Sequence, residues 1–284
     1  MIRLLAPAKV NLSLEVVGKR PDGYHEVRTV LQAVDLTDEL ELDEADDIDL
    51  RVEPDGAAPV EGNLVLRAAR LLQEAAGERR GAAIRLHKRI PAAAGLGGGS
   101  SDAAATLLGL VRLWGLDVSE SHLDMLATAL GADVSFFLHG GTALGTGRGD
   151  QLQGLPMPVE RFTVIVTPAE PEDPEKTARL YRMLEPRHYS DGSRTAEVVR
   201  RIEASEPLGD TPYNSFAQVA SSAYDSYELA CTIFGAARAR HVLLVGAGPS
   251  LFTLAQDEDT AEAIRERMAR DGYAVHVARL LAPV

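Results

Sequence analysis

The residues of this chain best suited to chemistry lie in the run Pro91-Ala92-Ala93-Ala94-Gly95-Leu96-Gly97-Gly98-Gly99-Ser100-Ser101-Asp102. Glycines let successive backbone N–H groups point into one concavity, with no Cβ in the path of an approaching anion. A helix opening directly after them adds its unsatisfied N–H groups and the positive end of its dipole. Ser100 and Ser101 add hydroxyls able to reach a phosphate or the shell of a Mg²⁺ ion. The chemistry this predicts is the binding of the α- and β-phosphates of a nucleotide. The bland alternative is a hinge or a close-packed turn, which four glycines, two serines and an immediate helix disfavour. The run is not a Walker A loop, because it contains no Lys and no Gly-Lys-Ser/Thr. It is not a dinucleotide fingerprint either, which needs G-x-G-x-x-G just after a first strand.

Other segments carry groups that would complete phosphoryl chemistry. Transfer of a phosphoryl group asks for charge neutralisation and a placed nucleophile. A carboxylate can accept the acceptor hydroxyl's proton, and a neighbouring ammonium keeps it ionised. Lys9, in Pro7-Ala8-Lys9-Val10-Asn11-Leu12, and Asp133, in Leu130-Gly131-Ala132-Asp133-Val134-Ser135-Phe136-Phe137, have these types. Taken singly, Lys9 also reads as a solvated strand residue and Asp133 as a turn or helix cap. In Arg20-Pro21-Asp22-Gly23-Tyr24-His25-Glu26, the Tyr can stack on a base and the His can read a base edge; a core tyrosine with a satisfied histidine is the other reading. Leu244-Val245-Gly246-Ala247-Gly248-Pro249-Ser250-Leu251-Phe252 reads as strand, glycine turn, strand. The scattered histidines, with no H-x-x-x-H and no Cys partner, argue against a protein-held zinc. The absence of G-x-S-x-G argues against a serine nucleophile.

These groups need elements to hold them. Val10–Val16 alternates with period two, predicting a strand with one buried face, and Arg20–Gly23 is a turn cluster. Residues 38–52 alternate again around the polar patch 44–47. Helical spacing runs from Asn63 to Ala76 and stops at Gly77; alternation returns over 83–88. A helix with Leu107, Leu110, Val111 and Trp114 on one face follows the glycine run, with Ser100, Ser101 and Asp102 as candidate caps. A second covers 120–130. Near Pro156-Met157-Pro158 the chain reads as a linker. Beyond it come strand 162–166, helices near 175–184 and between 194 and 234, strands 241–245 and 251–255, helix 260–269 and strand 274–280. That pattern is α+β, with helices over an antiparallel sheet, and the boundary falls near residue 158.

Composition sets limits on partners. The 284 residues suit two domains, and 42 acidic against 29 basic residues give a net charge of −13. Such a field makes nucleic acid and anionic membrane poor partners, while a local cluster of amides and lysines can still hold a small anion. The lone Cys231 forms no internal disulfide and reads as a small buried apolar group in a reducing compartment. The apolar run at the start is too short for a signal peptide, and no stretch approaches a membrane span. The expectation is cytoplasmic.

Together the glycine run, the Lys9 and Asp133 motifs, Asp-Gly-Tyr-His and the later glycine turn closely resemble the GHMP kinases, the family of galactose, homoserine, mevalonate and phosphomevalonate kinases. The doubled serine and Asp22-Gly23-Tyr24-His25 look most like the branch that acts on a cytidine-diphosphate-linked sugar alcohol in non-mevalonate isoprenoid synthesis. The resemblance implies a two-domain fold, a ribosomal protein S5 domain 2-like part over 1–158 and a ferredoxin-like part over 159–284. It implies ATP on Pro91, Gly95, Leu96, Gly97, Gly98, Gly99, Ser100 and Ser101, with Asn63, Leu64 and Lys88 on the adenine side and Mg²⁺ arriving on the phosphates. Asp133 becomes the general base and Lys9 its partner near the transferring phosphate, with Asn11 in the acceptor pocket. Tyr24 and His25 would hold the cytosine, sandwiched by Tyr181, and the Gly246–Gly248 turn would close over the site. Ser135 departs from the family's usual Pro, predicting a looser turn after Asp133, and Tyr213–Ala217 matches its motif only in part. Two alternatives stand beside this reading: a homoserine or mevalonate type of kinase, or a nucleotide-binding module without catalysis. Oligomeric state is left open.

Overall fold

A computed structural model of the chain describes residues 1–171, 173, 175–239, 241–270 and 273–283. Their contacts form two compact units: Met1–Ala8, Leu36–Ala92 and Gly97–His139 in the first; Lys9–Asp35, Ala93–Leu96 and the chain from Gly140 onward in the second. The first two strands, β1 (Ile2–Lys19) and β2 (His25–Ala45), therefore supply residues to both units, as does the glycine run. The sequence boundary near residue 158 lies within the second unit.

In the first unit, β3 (Ile48–Glu53) and β4 (Gly81–His87) pair in parallel, which requires the intervening helix α1 (Leu64–Ala76) as a crossover. The far edge of β4 pairs antiparallel with the Glu39–Ala45 end of β2. Helix α1 begins and ends where local chemistry dictates. The Asn63 side chain accepts from Val65 N–H at 3.0 Å, and Gly77 adopts φ 62° beyond the last turn. Its Val65, Ala68, Ala69 and Leu72 face inward. Helix α2 (Gly98–Trp114) packs against α1, and Gly109 lets it approach the sheet: an added Cβ there would lie 2.6 Å from Leu4 Cδ1.

The start of α2 differs from the sequence expectation. The helix opens at Gly98 rather than after Asp102, with Gly97 at φ 74° and no side-chain cap, so Ser100, Ser101 and Asp102 lie inside its first turns. Helices α3 (Glu120–Leu130) and α4 (Ala132–His139) pack on each other, and Ser119 caps α3 by accepting from His122 N–H. The looser turn expected after Asp133 is instead the first turn of α4, and the buried Ser135 hydroxyl lies 3.1 Å from that of Thr128 on α3.

The second unit holds the other end of β2, whose Thr29–Gln32 pairs antiparallel with β5 (Thr142–Thr146); β5 forms a hairpin with β6 (Gln151–Leu155). Beyond these come β7 (Phe162–Val166), helices α5 (Lys176–Met183) and α6 (Ser193–Glu203), and the two-residue strand β8 (Tyr213–Asn214), parallel to Ser13 and Leu14 of β1. Helices α7 (Ala217–Ala223) and α8 (Tyr227–Ala236), β9 (Leu243–Leu244), β10 (Leu251–Ala255), α9 (Glu258–Ala269) and β11 (Val275–Arg279) complete it. The sheet order β11-β7-β10-β9 is antiparallel throughout, with helices between β7 and β9 and between β10 and β11. That is the ferredoxin-like βαββαβ arrangement. Val164, Val166, Phe234, Ala261, Ile264 and Met268 form its core. The strand expected over 241–245 shortens to Leu243–Leu244, because Val245 N–H turns to Ser250 O at 2.9 Å.

β1 also departs from the one-faced strand that its period suggests. Every residue from Ala8 to Val16 is buried, so Lys9, Asn11, Ser13 and Glu15 lie on a second covered face. Among the described residues no helix is long and apolar enough to cross a membrane.

A buried charge cluster anchors the front of α2 within the first unit. Lys88, at the end of β4, donates to Asp38 Oδ2 on β2 and, at 2.8 Å, to Asp102 Oδ2 on α2. Asp38 Oδ1 also accepts from Ile90 N–H at 2.8 Å and from Arg89 N–H. One ammonium cannot neutralise two carboxylates. Burial first, and the charge of Asp38 beyond that, push the Asp102 carboxyl up to about 7, while the two carboxylates hold the Lys88 ammonium above its usual value against the burial that opposes it. Because folding raises Asp102, its contribution to stability is full below the ordinary carboxylate pKa and is lost as pH climbs from about 4 to about 7. Asp102→Asn should flatten that slope and change the unfolding free energy from urea titration at pH 7 by less than about 1 kcal/mol. Asp38→Ala, which strands two backbone N–H groups as well as part of the Lys88 charge, should cost about 3 kcal/mol or more. Equal losses for the two variants would contradict this division of charge.

Candidate active site

Within the first unit, the glycine run opens α2. The first helical bond runs from Ser101 N–H to Gly97 O at 2.9 Å, so the amides of Gly98, Gly99 and Ser100 precede it and find no carbonyl within the helix. Sterics press on Gly98 but leave room at Gly99. A Cβ on Gly98 would lie 3.0 Å from Ile90 Cγ2 and 3.2 Å from Lys88 Nζ; one on Gly99 would meet Leu64 at 3.8 Å. Ser101 Oγ and Asp102 Oδ1 are buried without a hydrogen-bond partner. Such atoms cost free energy unless a ligand or water satisfies them. Asn63 reaches this neighbourhood through Leu64, but its own side chain is engaged in capping α1 and in donating to Pro59 O at 2.9 Å. Lys88 lies under the turn, held by two carboxylates. Pro91 is half-buried just before the run, and Asp133 is half-buried in the first turn of α4.

The second unit holds Lys9 and Asn11. Lys9 is 3% exposed, and its Nζ donates to Asn11 Oδ1 at 2.8 Å. Asn11 Nδ2 donates to Thr29 Oγ1 at 2.9 Å, and Thr29 donates onward to Ser13 O at 2.7 Å. That chain fixes the amide's orientation: Thr29 spends its proton on a carbonyl, so it must accept from Asn11, and the amide oxygen faces the ammonium. Asn11 thus positions Lys9. Further along the same face, the hydroxyls of Ser13 and Thr195 lie 2.5 Å apart, and Glu15 accepts from Thr195 N–H at 2.6 Å at the start of α6.

The Ala93–Leu96 limb of the glycine run is stitched into this unit. Lys9 N–H donates to Leu96 O at 2.9 Å, and Ser250 N–H donates to Ala94 O at 3.3 Å. Gly95 has φ 85°, and a Cβ on it would sit 2.2 Å from Val245 O. Gly246, in the later glycine turn, would place a Cβ 3.0 Å from Lys9 Nζ. Asn214 clamps that turn by donating to Leu244 O at 3.0 Å and Gly246 O at 2.8 Å while accepting from Phe216 N–H. Lys176, at the start of α5, donates to both Ala93 O and Gly248 O.

The aromatic residues of the second unit form a group of their own. The His25 ring stacks on Tyr181, with centroids 4.8 Å apart and planes inclined by 18°. Tyr189 meets it edge-on at 5.9 Å, and Phe216 packs edge-on against Tyr181 at 4.9 Å. Burial, with help from the charge of Lys19, lowers the His25 pKa, so at pH 7 the ring is neutral and offers one donor and one acceptor. Tyr24 stands outside this stack, 56% exposed, with the Arg148 guanidinium 4.7 Å from its ring centre. The structure thus brings Tyr181 to His25 and leaves Tyr24 as the open aromatic face.

Sequence reasoning missed Asp38, Thr29, Asn214 and Lys176. Asp38 carried no motif, and Asn214 sat in a segment read only as a partial match. For Lys176, a lysine among charged helix residues, no local signal separates a buried ammonium from a solvated one.

Comparisons with known proteins place the chain among relatives by sequence and fold. The model for the GHMP kinases N terminal domain matches residues 63–141, and that for the GHMP kinases C terminal domain matches residues 213–274. A 4-diphosphocytidyl-2-C-methyl-D-erythritol kinase from Dehalococcoides mccartyi is 38% identical over the full length of both chains. A solved 4-(cytidine 5'-diphospho)-2C-methyl-D-erythritol kinase is 35% identical, covers 98% of this chain and 99% of its own, and superposes with a TM-score of 0.83. The homoserine kinase of Cytophaga hutchinsonii shares the fold, with a TM-score of 0.78 over 99% of this chain and 95% of its own, at 20% identity. On these matches the chain belongs to the GHMP kinases, alongside relatives named 4-diphosphocytidyl-2-C-methyl-D-erythritol kinase.

Proposed function

We propose that this chain transfers the γ-phosphoryl group of ATP to the 2-hydroxyl of 4-diphosphocytidyl-2-C-methyl-D-erythritol, a step of non-mevalonate isoprenoid synthesis. The observation that carries the proposal is the pairing of full-length identity to relatives of that name with the aromatic group around a neutral His25. A neutral imidazole suits the edge of cytosine, which offers donors and acceptors and no charge. Tyr181 and Tyr189 hold that ring in place, and Tyr24 supplies a face for stacking once Arg148 moves aside.

In this reading the amides of Gly98, Gly99 and Ser100 receive the polyphosphate of ATP. Pro91, Gly95, Leu96 and Gly97 shape the run, and Asn63 and Lys88 support the adenine side through Leu64 and the turn. Asp133 takes the acceptor hydroxyl's proton, and Lys9 holds charge on the transferring group. Mg²⁺ comes with the nucleotide, held mainly by phosphate and water. The orphaned Ser101 Oγ and Asp102 Oδ1 fit such an ion as the chain's own oxygens, and a cation there would draw the raised Asp102 carboxyl back to its ionised form. When bound, such an ion would supply positive charge against the phosphate oxygens. A division near residue 158, a cytoplasmic location and a small-molecule substrate with no nucleic-acid or membrane partner complete the proposal.

ADP release tests it directly, with diphosphocytidyl-methylerythritol, homoserine and mevalonate offered separately. Release with the first alone is expected; release with none would leave a nucleotide-binding module, and release with homoserine alone would replace the substrate. Asp133→Asn should keep ATP affinity while kcat falls at least ~10²-fold, the usual scale for a general base; unchanged turnover would remove that role. Tyr24→Ala should raise KM for the cytidyl substrate by an amount equivalent to ~1–3 kcal/mol, the scale of base stacking. A defect confined to ATP would contradict the cytosine assignment.

A further inference from the structure

The hydroxyl of Tyr189 lies 3.4 Å from Nε2 of His25, and among the described residues neither atom makes another hydrogen bond. The two rings also meet edge-on, with planes inclined by 71°. A phenylalanine would give that packing equally well, so the hydroxyl supplies something that packing does not need. The chain around Tyr189 is fixed from both sides. Its own N–H donates to Pro186 O at 3.2 Å across the short turn Pro186–His188, and Gln218 Nε2 donates to His188 O at 3.0 Å. Ser190 N–H donates to Val16 O on β1 at 3.0 Å. The Tyr189 ring packs against the core cluster that includes Leu14, Val16 and Val27. Backbone bonds and packing together therefore place the hydroxyl at the histidine.

That contact decides where a neutral imidazole keeps its proton. One ring nitrogen carries it and the other accepts, and the bond made by one nitrogen sets the role of the other. A phenol O–H is a stronger donor than an imidazole N–H, and an unprotonated imidazole nitrogen is a stronger acceptor than a phenol oxygen. With His25 neutral at pH 7, the pair settles as Tyr189 O–H donating to Nε2. The ring proton then sits on Nδ1. Tyr181 stacks on the same ring, so Nδ1–H is the polar atom of the side chain left for a ligand. A fixed donor separates the two pyrimidines. N3 of cytosine accepts a hydrogen bond, whereas N3 of uracil carries a hydrogen of its own and would leave the donor unpaired.

We propose that Tyr189 is a positioning residue that fixes His25 as an Nδ1–H donor to N3 of the cytosine ring, and so makes the site select cytidine over uridine nucleotides. This rests on the cytidyl reading of the His25 site. Long-range ¹H–¹⁵N NMR of the full chain without ligand, at pH 7, reports the His25 tautomer. A proton on Nδ1 is expected, and a proton on Nε2 overturns the proposal with no variant needed. CDP and UDP are then titrated by calorimetry onto the wild type and Tyr189→Phe, which removes one oxygen and keeps the ring. The wild type should prefer CDP, and the variant should lose about fivefold of that preference, the scale of one neutral hydrogen bond, as its His25 proton shifts toward Nε2. In turnover, KM for the cytidyl substrate should rise while kcat and KM for ATP hold. A wild type that binds CDP and UDP alike, or a variant that keeps the wild-type preference, overturns the proposal. Wild-type chain that binds neither nucleotide, with the Nδ1 proton in place, would overturn the cytidyl reading itself. Should Tyr189→Phe not fold, the wild-type tautomer and the wild-type preference decide.

Discussion

The buried charge of Lys9 is the constraint on which the second unit's architecture depends. An ammonium removed from water has to be met by oriented acceptors, or the fold loses several kcal/mol. Here the amide of Asn11 meets it, and that amide is useful only because Thr29, on the neighbouring strand, forces its oxygen toward the lysine. The same face of β1 continues as Ser13 and Glu15, whose partner Thr195 opens α6. A strand that alternates polar and apolar residues would ordinarily turn its polar face to solvent. In this chain that face is covered, and its polar groups meet one another and the start of α6, with Glu15 Oε1 left buried without a hydrogen-bond partner.

The glycines serve the same end by close approach. Gly95 and Gly246 bring backbone within reach of Lys9 from two segments, where any side chain would collide with a carbonyl or with the ammonium. Asn214 and Lys176 then hold those segments by donating to their carbonyls. In the first unit Gly97 and Gly98 let a helix start without a side-chain cap. A cap there would satisfy the amides internally and remove them from any ligand. The uncapped end is tolerated because the cluster of Asp38, Lys88 and Asp102 anchors the turn from beneath.

Much of this was legible locally. Asn63 and Gly77 mark the ends of α1 through capping chemistry that needs no distant partner, and Ser119 marks the start of α3 in the same way. The composition of the glycine run implies an anion cradle, and the structure places the uncapped start of α2 there. The helix after it begins five residues before the start expected beyond Asp102, an expectation that rests on Ser100, Ser101 and Asp102 being good caps by type. Asp38 and Lys88 were not connected, being fifty residues apart, and the pairing of β4 between β2 and β3 is what joins them.

Neighbours within a few residues of one another set the α+β class, the helices with clear caps, the glycine run that opens α2, and the types of residue from which a phosphoryl-transfer site is proposed. Only the tertiary structure decided that β1 is covered on both faces, that Asn11 orients Lys9 rather than facing solvent, and that His25 rests on Tyr181. It alone made Lys176 a buried charge. Those facts depend on the dielectric around a group and on which distant carbonyl or ring comes to lie beside it, and neither is written in the spacing of residues along a chain.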